Sequence, residues 1–430
     1  MNTQSSRSKW QVFAAVSLIF FFLNGATFTS LGVVLYTMVA ELHWSQAAAG
    51  FSFTLLGIAC GVCSPLPAVM MSRFGGRATI VAGALTLCVG FFLAAVSASI
   101  WAFYAAMLLL GLGYALGGNV PAIFLLAAWF PDKQARVIGL YLMIGAFGAT
   151  VGPPVVEAIV SHSGSWRAHW QVMGWSALAV GAVCFAFVRD IASPPVADRA
   201  PATAASAADA PDVWSPREAI FTRQFALVAA GMTMTMACIT TNSSVTMAHF
   251  VKMGATPAFG AVILSILALV ATITKGLAGR LCELMSVTHL LGVGLLVQAA
   301  GNLMIAHADT ATLQYGAALV YGAGWGASYV AGNIVLLRWF GSNTGSRILS
   351  VVWAITTLAA AGPLAAGALA DNTGSFSPIF YLYAVLLLVV AVPAFVLGEP
   401  VHPARRARAA AQARPAAGLI QGDEAQARTV

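Results

Sequence analysis

Charged residues are scarce in this chain: Asp, Glu, Lys and Arg together make up 8% of its 430 residues, whereas 60% are hydrophobic. A soluble protein has about a quarter of its residues charged, so this composition excludes a soluble globular protein. It predicts an all-α membrane protein that crosses the lipid bilayer many times. The net charge of +7 does not indicate a nucleic-acid partner, because the basic residues fall in short loops and in the C-terminal tail.

Several chemical signatures are also missing. The chain has no phosphate-binding loop for ATP and no paired catalytic groups, which argues against an ATP-driven pump and against an enzyme. Its histidines show no ligand spacing, so no metal or cofactor is expected. Cys60 and Cys63 form a CxxC within an apolar helix, where close helix packing explains small residues better than redox or metal chemistry. Arg7 and Lys9 lead into a run too long for a cleavable signal peptide, and none is expected.

Long apolar runs fill most of the chain and predict twelve transmembrane helices. All Lys and Arg residues except Arg167, Lys252 and Lys275 then fall on the side of the two termini. The positive-inside rule therefore predicts a multi-pass protein of the plasma (inner) membrane with both termini in the cytoplasm. The predicted spans are residues 11–39, 45–72, 78–98, 101–130, 137–161, 167–189, 221–250, 256–284, 288–306, 312–339, 346–370 and 376–397.

The domain organisation follows from composition. Residues 190–217 are rich in Ala, Pro and Asp and predict a cytoplasmic linker; the linker ends in a capping box at Ser215–Glu218. It separates an N-terminal six-helix half, 1–189, from a C-terminal half, 218–398. Residues 399–430 predict a disordered cytoplasmic tail whose arginines lie against anionic lipid.

The two halves share an internal repeat with an offset of 210 residues. Trp129-Phe130 recurs as Trp339-Phe340, and Gly152-Pro153 recurs as Gly362-Pro363. Parallel six-helix repeats are one of the architectures of secondary transporters, whose substrate site lies near the membrane midplane between them.

A single charge, Lys275, lies inside the apolar stretch Thr256–Leu284. It precedes Glu283, at the end of the run, by eight residues, or roughly 12 Å of helix. A lysine at that depth costs at least about 2.5 kcal/mol and is by default a functional residue that faces a wet cavity or an anion. The alternative is that its stem snorkels to the cytoplasmic surface.

Polar side chains in other spans are candidates for orienting a substrate around Lys275, although hydrogen bonding between helices explains each of them equally well. Asn119 and Tyr329 stand out because the 210-residue offset relates them. Glu157 is the other charge within a span and is a candidate for proton coupling, with hydration at the interface as the alternative. The remaining candidates are Asn24, Thr29, Tyr114, Thr241, Asn242, Trp325 and Asn333.

Two degraded copies of a loop motif, G-x-L-x-D-R-x-G-R-R, follow: Met70-x-Ser72-Arg73-x-Gly75-x-Arg77 lacks the acid, and Gly279-x-Leu281-x-Glu283 lacks the later glycine and basic residues. Together with twelve spans and a long central loop, they resemble the major facilitator superfamily (MFS) and imply its fold. Such turns pair charges at the cytoplasmic helix ends, and we expect Glu283 to pair with Arg136. The alternative is that Glu283 is simply a solvated charge of the turn. The predicted cytoplasmic gate comprises Glu283, Arg136, Arg73, Arg77 and Arg347.

The stretch Ser30–Leu55 more narrowly resembles monocarboxylate transporters and oxalate:formate antiporters. In that group a basic residue of helix eight lies four residues before a glycine and eight before the loop acid, which matches Lys275, Gly279 and Glu283. The group usually has arginine there, and lysine lacks its bidentate grip on a carboxylate. Ala271 and Thr29 replace an aspartate and a lysine of the monocarboxylate transporters, which weakens the case for lactate and for their proton-coupling pair.

These features predict a monomeric secondary active transporter of a small organic anion, a monocarboxylate, by proton symport or anion exchange through alternating access. A proton-coupled exporter of drug-like molecules is the first alternative, because Gly139, Gly148 and Gly152-Pro153 partly resemble an antiporter motif. A transporter-like membrane sensor is the second, although neither the linker nor the tail has the apolar content of a signalling domain.

Overall fold

A computed structural model describes residues 3–190 and 214–402 as helices joined by short turns. The predicted linker and tail lie largely outside these residues. The helices are α1 (Thr3–Ala26), α2 (Phe28–Leu42), α3 (Gln46–Val62), α4 (Leu66–Val96), α5 (Ile100–Gly117), α6 (Asn119–Trp129), α7 (Gln134–Ser163), α8 (Trp166–Phe187), α9 (Pro216–Ile220), α10 (Arg223–Lys252), α11 (Pro257–Leu284), α12 (Val287–His307), α13 (Ala311–Thr356), α14 (Gly362–Thr373) and α15 (Ser377–Val396).

Ten helical segments of the described chain are long and apolar enough to cross a membrane. The other two of the predicted twelve spans are α3, a shorter apolar helix, and the first part of α13. The predicted capping box at the entry to the second half is present, since Ser215 and Glu218 each accept a backbone N–H of the other. The hydrogen bonds from Ser215 lower the pKa of the Glu218 carboxyl.

Two glycines join neighbouring spans into single long helices, where the sequence predicted separate ones. Gly75 (φ 84°) turns the chain inside α4, and Gly341 (φ 77°) does the same inside α13. Only glycine adopts such φ values at little cost, so the helical hydrogen-bonding pattern resumes directly after each turn.

The turn at Gly75 is held by an acid from another part of the chain. Asp190 Oδ1, just beyond α8, accepts the backbone N–H groups of Gly76 at 2.7 Å and of Arg77 at 3.1 Å. The sequence indicated that the loop motif at this turn lacks its acidic residue. The structure shows that a carboxylate from the end of the sixth span, Asp190, binds the first N–H groups of the third span.

Each half has its own hydrophobic core, one built from residues 12–188 and the other from residues 219–391. Met247 and Leu264 of the second half pack into the core of the first half. The second half also contains a buried polar network that joins α10, α12 and α13. Gln298 Oε1 lies 3.3 Å from both Thr235 Oγ1 and Ser328 Oγ, and its amide donates to Tyr321 at 3.2 Å. Buried hydrogen bonds of this kind hold helices together within a membrane, where the hydrophobic effect does not drive helices to associate.

The halves meet on the side of the bundle opposite the two termini, which we call the far side; the other is the terminus side. There, α2 packs against α10, α3 against α14, and α7 against α11. The closest approaches use glycines: Gly32 faces the Ser243 carbonyl, and Gly50 faces that of Pro363. The far side is therefore closed.

On the terminus side the halves are apart. Within the described ranges, helices α1, α4 and α6 of the first half make no extensive contact with a helix of the second half. The two halves are therefore closely packed at the far side and not at the terminus side.

Candidate substrate-binding site

Three of the predicted site residues lie at the same depth in different spans. Asn24, Lys275 and Tyr329 are each 18 residues from the far-side ends of their spans, at Leu42, Pro257 and Ala311. At 1.5 Å per residue this is about 27 Å from the far side. A common level in helices of both halves is what a site between the halves requires.

Helix breaks occur close to that level in the first half. The first span is interrupted at Thr27 (φ −103°, ψ −94°), and the fourth at Gly118 (φ −84°, ψ −143°), so that α6 begins at Asn119. Broken helices line the substrate sites of many transporters, because the first N–H groups of a half-helix attract anions. Asn119 and Val120, which begin α6, are exposed.

Lys275 is half-buried and lies against two aromatic rings of α13. Its Nζ is 4.0 Å from the centroid of the Trp325 ring and 4.8 Å from that of Tyr329. Trp325 is only 14 residues from the far-side end, so the ammonium does not extend toward the terminus-side surface as snorkelling would require. Each ring face stabilises the cation by about 0.5–2 kcal/mol, which offsets part of its cost in the membrane.

The surroundings of Lys275 are rich in donors. Trp325 Nε1 is buried and has no hydrogen-bond acceptor within the described part of the chain. The ion pair found among the described residues joins Arg167 to Glu41 on the far side, and no acid pairs with Lys275. An ammonium beside a buried, unsatisfied N–H is a set of groups that an anion would complete.

Four polar residues of the first half form two hydrogen-bonded pairs at this level. Tyr114 donates to Asn24 Oδ1 at 3.5 Å, and Tyr141 donates to Asn119 Oδ1 at 3.3 Å. The structure thus brings the predicted Asn24 and Tyr114 together, while Tyr329 lies at the same level in the second half.

Thr29 is connected to the site through a small cavity. It lines a space of about 40 Å³ between the halves together with Trp325, enough for a few water molecules. Its hydroxyl donates to the Asn24 carbonyl at 2.8 Å. The Asn333 amide donates to the Tyr329 carbonyl at 2.7 Å, one turn further toward the terminus side.

Two predicted residues lie inside the second half instead. Asn242 is fully buried and donates to Asn302 Oδ1 at 3.4 Å, while Thr241 shares a 2.8 Å hydrogen bond with Tyr383. Both side chains are 0% exposed, so these contacts join helices and do not reach the space between the halves.

The charged candidates lie away from Lys275. Glu157 is half-buried, six residues before the end of α7, and makes no hydrogen bond or ion pair with any described residue. Glu283 and Arg136 are exposed at the terminus side and are not paired with each other, as expected where the halves are apart. Their pairing stays a prediction for the other conformation.

The other gate candidates are arginines of the terminus side. Arg77 lies over the Phe185 ring at 4.2 Å. Arg73 and Arg347 are exposed.

Some features of the site were missed in the sequence. Tyr141 holds Asn119, and Trp353 packs edge-on against Tyr329 with centroids 5.9 Å apart. Aromatic residues in apolar spans are too common to be singled out. Gln298 and Asn302, four residues apart in an apolar run, were a usable signal for the buried network, because amides are costly in a membrane unless paired.

Two bundles of membrane-spanning helices that close at one end over a polar central site define a multi-pass membrane transporter. The family model described as Major Facilitator Superfamily matches residues 17–273 and 241–424. The chain belongs to this superfamily. Members of this superfamily are transporters of small molecules, not enzymes.

Individual relatives are more distant. Monocarboxylate transporter 12-B of Danio rerio is 27% identical over 154 residues, 35% of this chain and 32% of that protein. The transporter YycB of Bacillus subtilis (strain 168) is 30% identical over 151 residues, 35% of this chain and 37% of that protein. The matches thus span about a third of the length of these curated relatives.

The fold is shared much more widely than the sequence. The inward-facing, unoccupied structure of a bacterial homologue of the human lysosomal transporter Spinster aligns with a TM-score of 0.75. The alignment covers 90% of this chain and 96% of that one at 16% identity. At that identity the likeness concerns the fold alone.

Proposed function

We propose that this protein is a secondary active transporter of a small organic anion, a monocarboxylate, which it moves by proton symport or anion exchange. The observation that carries the proposal is the environment of Lys275: an ammonium at the level of the site, with aromatic rings and an unsatisfied Trp325 N–H beside it and no acidic partner among the described residues. One carboxylate would supply the missing negative charge and the missing acceptor together. The partial match to a monocarboxylate transporter supports the same substrate class.

We further propose that the protein works as a monomer in the plasma (inner) membrane, with the terminus side in the cytoplasm. Arg73, Arg136 and Arg347 are exposed on that side. The far side has Arg167, which is paired with Glu41, and Lys252. The excess of basic residues on one side is the known determinant of orientation. In this topology the described conformation opens toward the cytoplasm.

The decisive experiment is a thermal-shift screen of the purified protein against monocarboxylates and dicarboxylates. A ligand that binds the folded state stabilises it by about 2.7 kcal/mol at 100 times its Kd. We expect monocarboxylates to raise the Tm of the wild type. The Lys275→Ala variant should bind them about 10- to 100-fold more weakly, because a hydrogen bond to a charged group contributes about 1.5–3 kcal/mol.

Lys252→Ala is the matched control, since it removes the same side chain from the far side. Lys275→Arg should retain anion binding. Equal stabilisation of wild type and Lys275→Ala by acids would exclude the lysine from binding. Stabilisation by drug-like cations, undiminished in Lys275→Ala, would favour the exporter.

A further inference from the structure

An acid of the second half caps a helix of the first half. Asp371, on α14, accepts the backbone N–H of Gln46 at 2.9 Å with one carboxylate oxygen and that of Ala47 at 2.8 Å with the other. Gln46 and Ala47 are the first two residues of α3. The contact crosses from one half to the other on the far side.

The chemistry of this contact is favourable on both sides. The first N–H groups of a helix have no partner within the helix and carry its positive partial charge. Ser45 satisfies the N–H of Ala48 at 3.1 Å, and Asp371 satisfies the two that precede it. A carboxylate that receives two such bonds is held more strongly than a neutral acceptor.

The surrounding seam allows the contact only when α3 and α14 are in close register. Gly50 of α3 lies against the Pro363 carbonyl, and Gly367 of α14 lies against that of Gln46, so a side chain at either glycine would collide with backbone. Thr54 adds a 2.6 Å hydrogen bond to the Ala360 carbonyl. A small separation of the halves would therefore break all of these contacts together.

The internal repeat does not reproduce this contact. At an offset of 210 residues, Asp371 corresponds to Ser161 and Gln46 to Thr256, which is followed by Pro257. Ser161 donates to the Ala158 carbonyl of its own helix, and proline has no N–H to offer. The contact therefore exists at one of the two related seams, and it cannot be a by-product of the repeat.

We propose that Asp371 is a positioning residue of the transport cycle, a latch that holds the far side closed and must release α3 before the far side opens. The inference rests on the alternating-access part of the proposed function and not on its substrate class. Loss of the latch shifts the resting equilibrium toward the state that is open on the far side, without contact between Asp371 and the substrate.

The test measures access to the far-side seam in the absence of substrate. Ser244 lines a cavity of about 180 Å³ between the halves and is 7% exposed in the closed state. The full-length Ser244→Cys protein is treated with a hydrophilic maleimide, and labelling is followed at each cysteine by peptide mass spectrometry. Asp371→Asn, combined with Ser244→Cys, keeps the size of the side chain but replaces one acceptor oxygen with a donor NH₂ group.

We expect Asp371→Asn to raise the labelling rate at residue 244 by about tenfold, since that rate follows the population of the open state. Asp371→Glu should label more slowly than Asp371→Asn. Asp309→Asn is the control, because Asp309 is an exposed far-side acid that caps no helix among the described residues. It should label as the Ser244→Cys parent does.

Cys184 and Cys238, both 0% exposed within the cores of the two halves, distinguish opening from unfolding. If Asp371 is a latch, Asp371→Asn leaves Cys184 and Cys238 unlabelled. If Asp371 only stabilises the fold, the variant exposes these two cysteines together with residue 244. Should Asp371→Asn fail to fold, Gly50→Ala loosens the same seam and should raise labelling at residue 244 alone. Unchanged labelling in Asp371→Asn, or a rise shared with the core cysteines, would overturn the proposal while leaving the role of Lys275 untouched.

Discussion

At the scale of the residue, Lys275 shows what a sequence can and cannot disclose. Its charge in an apolar run was sufficient to mark it, because few other reasons keep a lysine in hydrocarbon. The sequence marks Trp325 and Tyr329 as candidates because of their polar atoms, yet it is their ring faces that contact the ammonium. That contact depends on how α11 and α13 pack together, which no local pattern encodes.

Glu157 is the residue on which a proton-coupled mechanism is testable. It is a half-buried acid without a described partner, and an acid in a membrane span is a candidate proton carrier. We expect Glu157→Gln to abolish accumulation of the anion against its gradient, because the amide cannot load a proton, while anion exchange continues at roughly the wild-type rate. Proteoliposomes with and without an imposed pH gradient separate the two activities.

The control for this variant is Asp309→Asn. It also removes an acid from the far side, but Asp309 lies in a loop and not in a membrane span. Accumulation driven by the pH gradient in Glu157→Gln would show that the proton is carried elsewhere. Loss of both activities would point to a structural role of Glu157.

At the scale of the element, most spans were predictable because an apolar run has a required length. The predicted span 256–284 agrees with α11, and 288–306 differs from α12 by one residue at each end. The joins were less predictable. At Gly75 and Gly341, a positive φ turns the chain without ending the helix. The sequence shows that a glycine is present but not which φ it adopts.

The turn at Gly75 gives a prediction about stability. Asp190 caps the N–H groups of Gly76 and Arg77, and the loss of a helix cap costs about 1–2 kcal/mol. We expect Asp190→Ala to lower the free energy of unfolding of the first half by that amount, and the detergent-solubilised protein to melt at a lower temperature.

Asp132→Ala is the comparison for this variant, since Asp132 is an exposed acid of the same side that caps no described helix. It should melt as the wild type does. An unchanged Tm for Asp190→Ala would show that water replaces the carboxylate without loss.

At the scale of the whole molecule, the two halves share a plan but differ in which buried polar side chains join their helices. The second half is fastened by amides and hydroxyls, among them Gln298 and Asn302, whose repeat-related positions in the first half are Cys88 and Phe92. Buried hydroxyls of the first half, such as Thr27 and Ser97, bond to carbonyls of their own helices. The repeat predicted the common architecture. The differences in hydrogen bonding could be seen only in the structure, which shows the partner of each polar side chain.

Contacts between the halves were the least predictable feature. Sequence patterns pointed to charged groups on the terminus side, Glu283 and Arg136, which are apart in this conformation. The contacts that are made involve Asp371 and the backbone of α3, and a backbone N–H carries no signature in a sequence. A repeat identifies which helices of the two halves correspond, but the contacts between the halves are determined by how their surfaces fit together.

Trp325 has an optical consequence. With an ammonium 4.0 Å from its ring, the indole emits in the electric field of a nearby positive charge, and an arriving anion alters that field. Occupancy should therefore register as a change in intrinsic fluorescence, over a background from the rest of the chain's 11 tryptophans. Titration of wild type and Trp325→Phe with a carboxylate should give a spectral difference that only the wild type shows, so the carrier holds its own reporter of cargo.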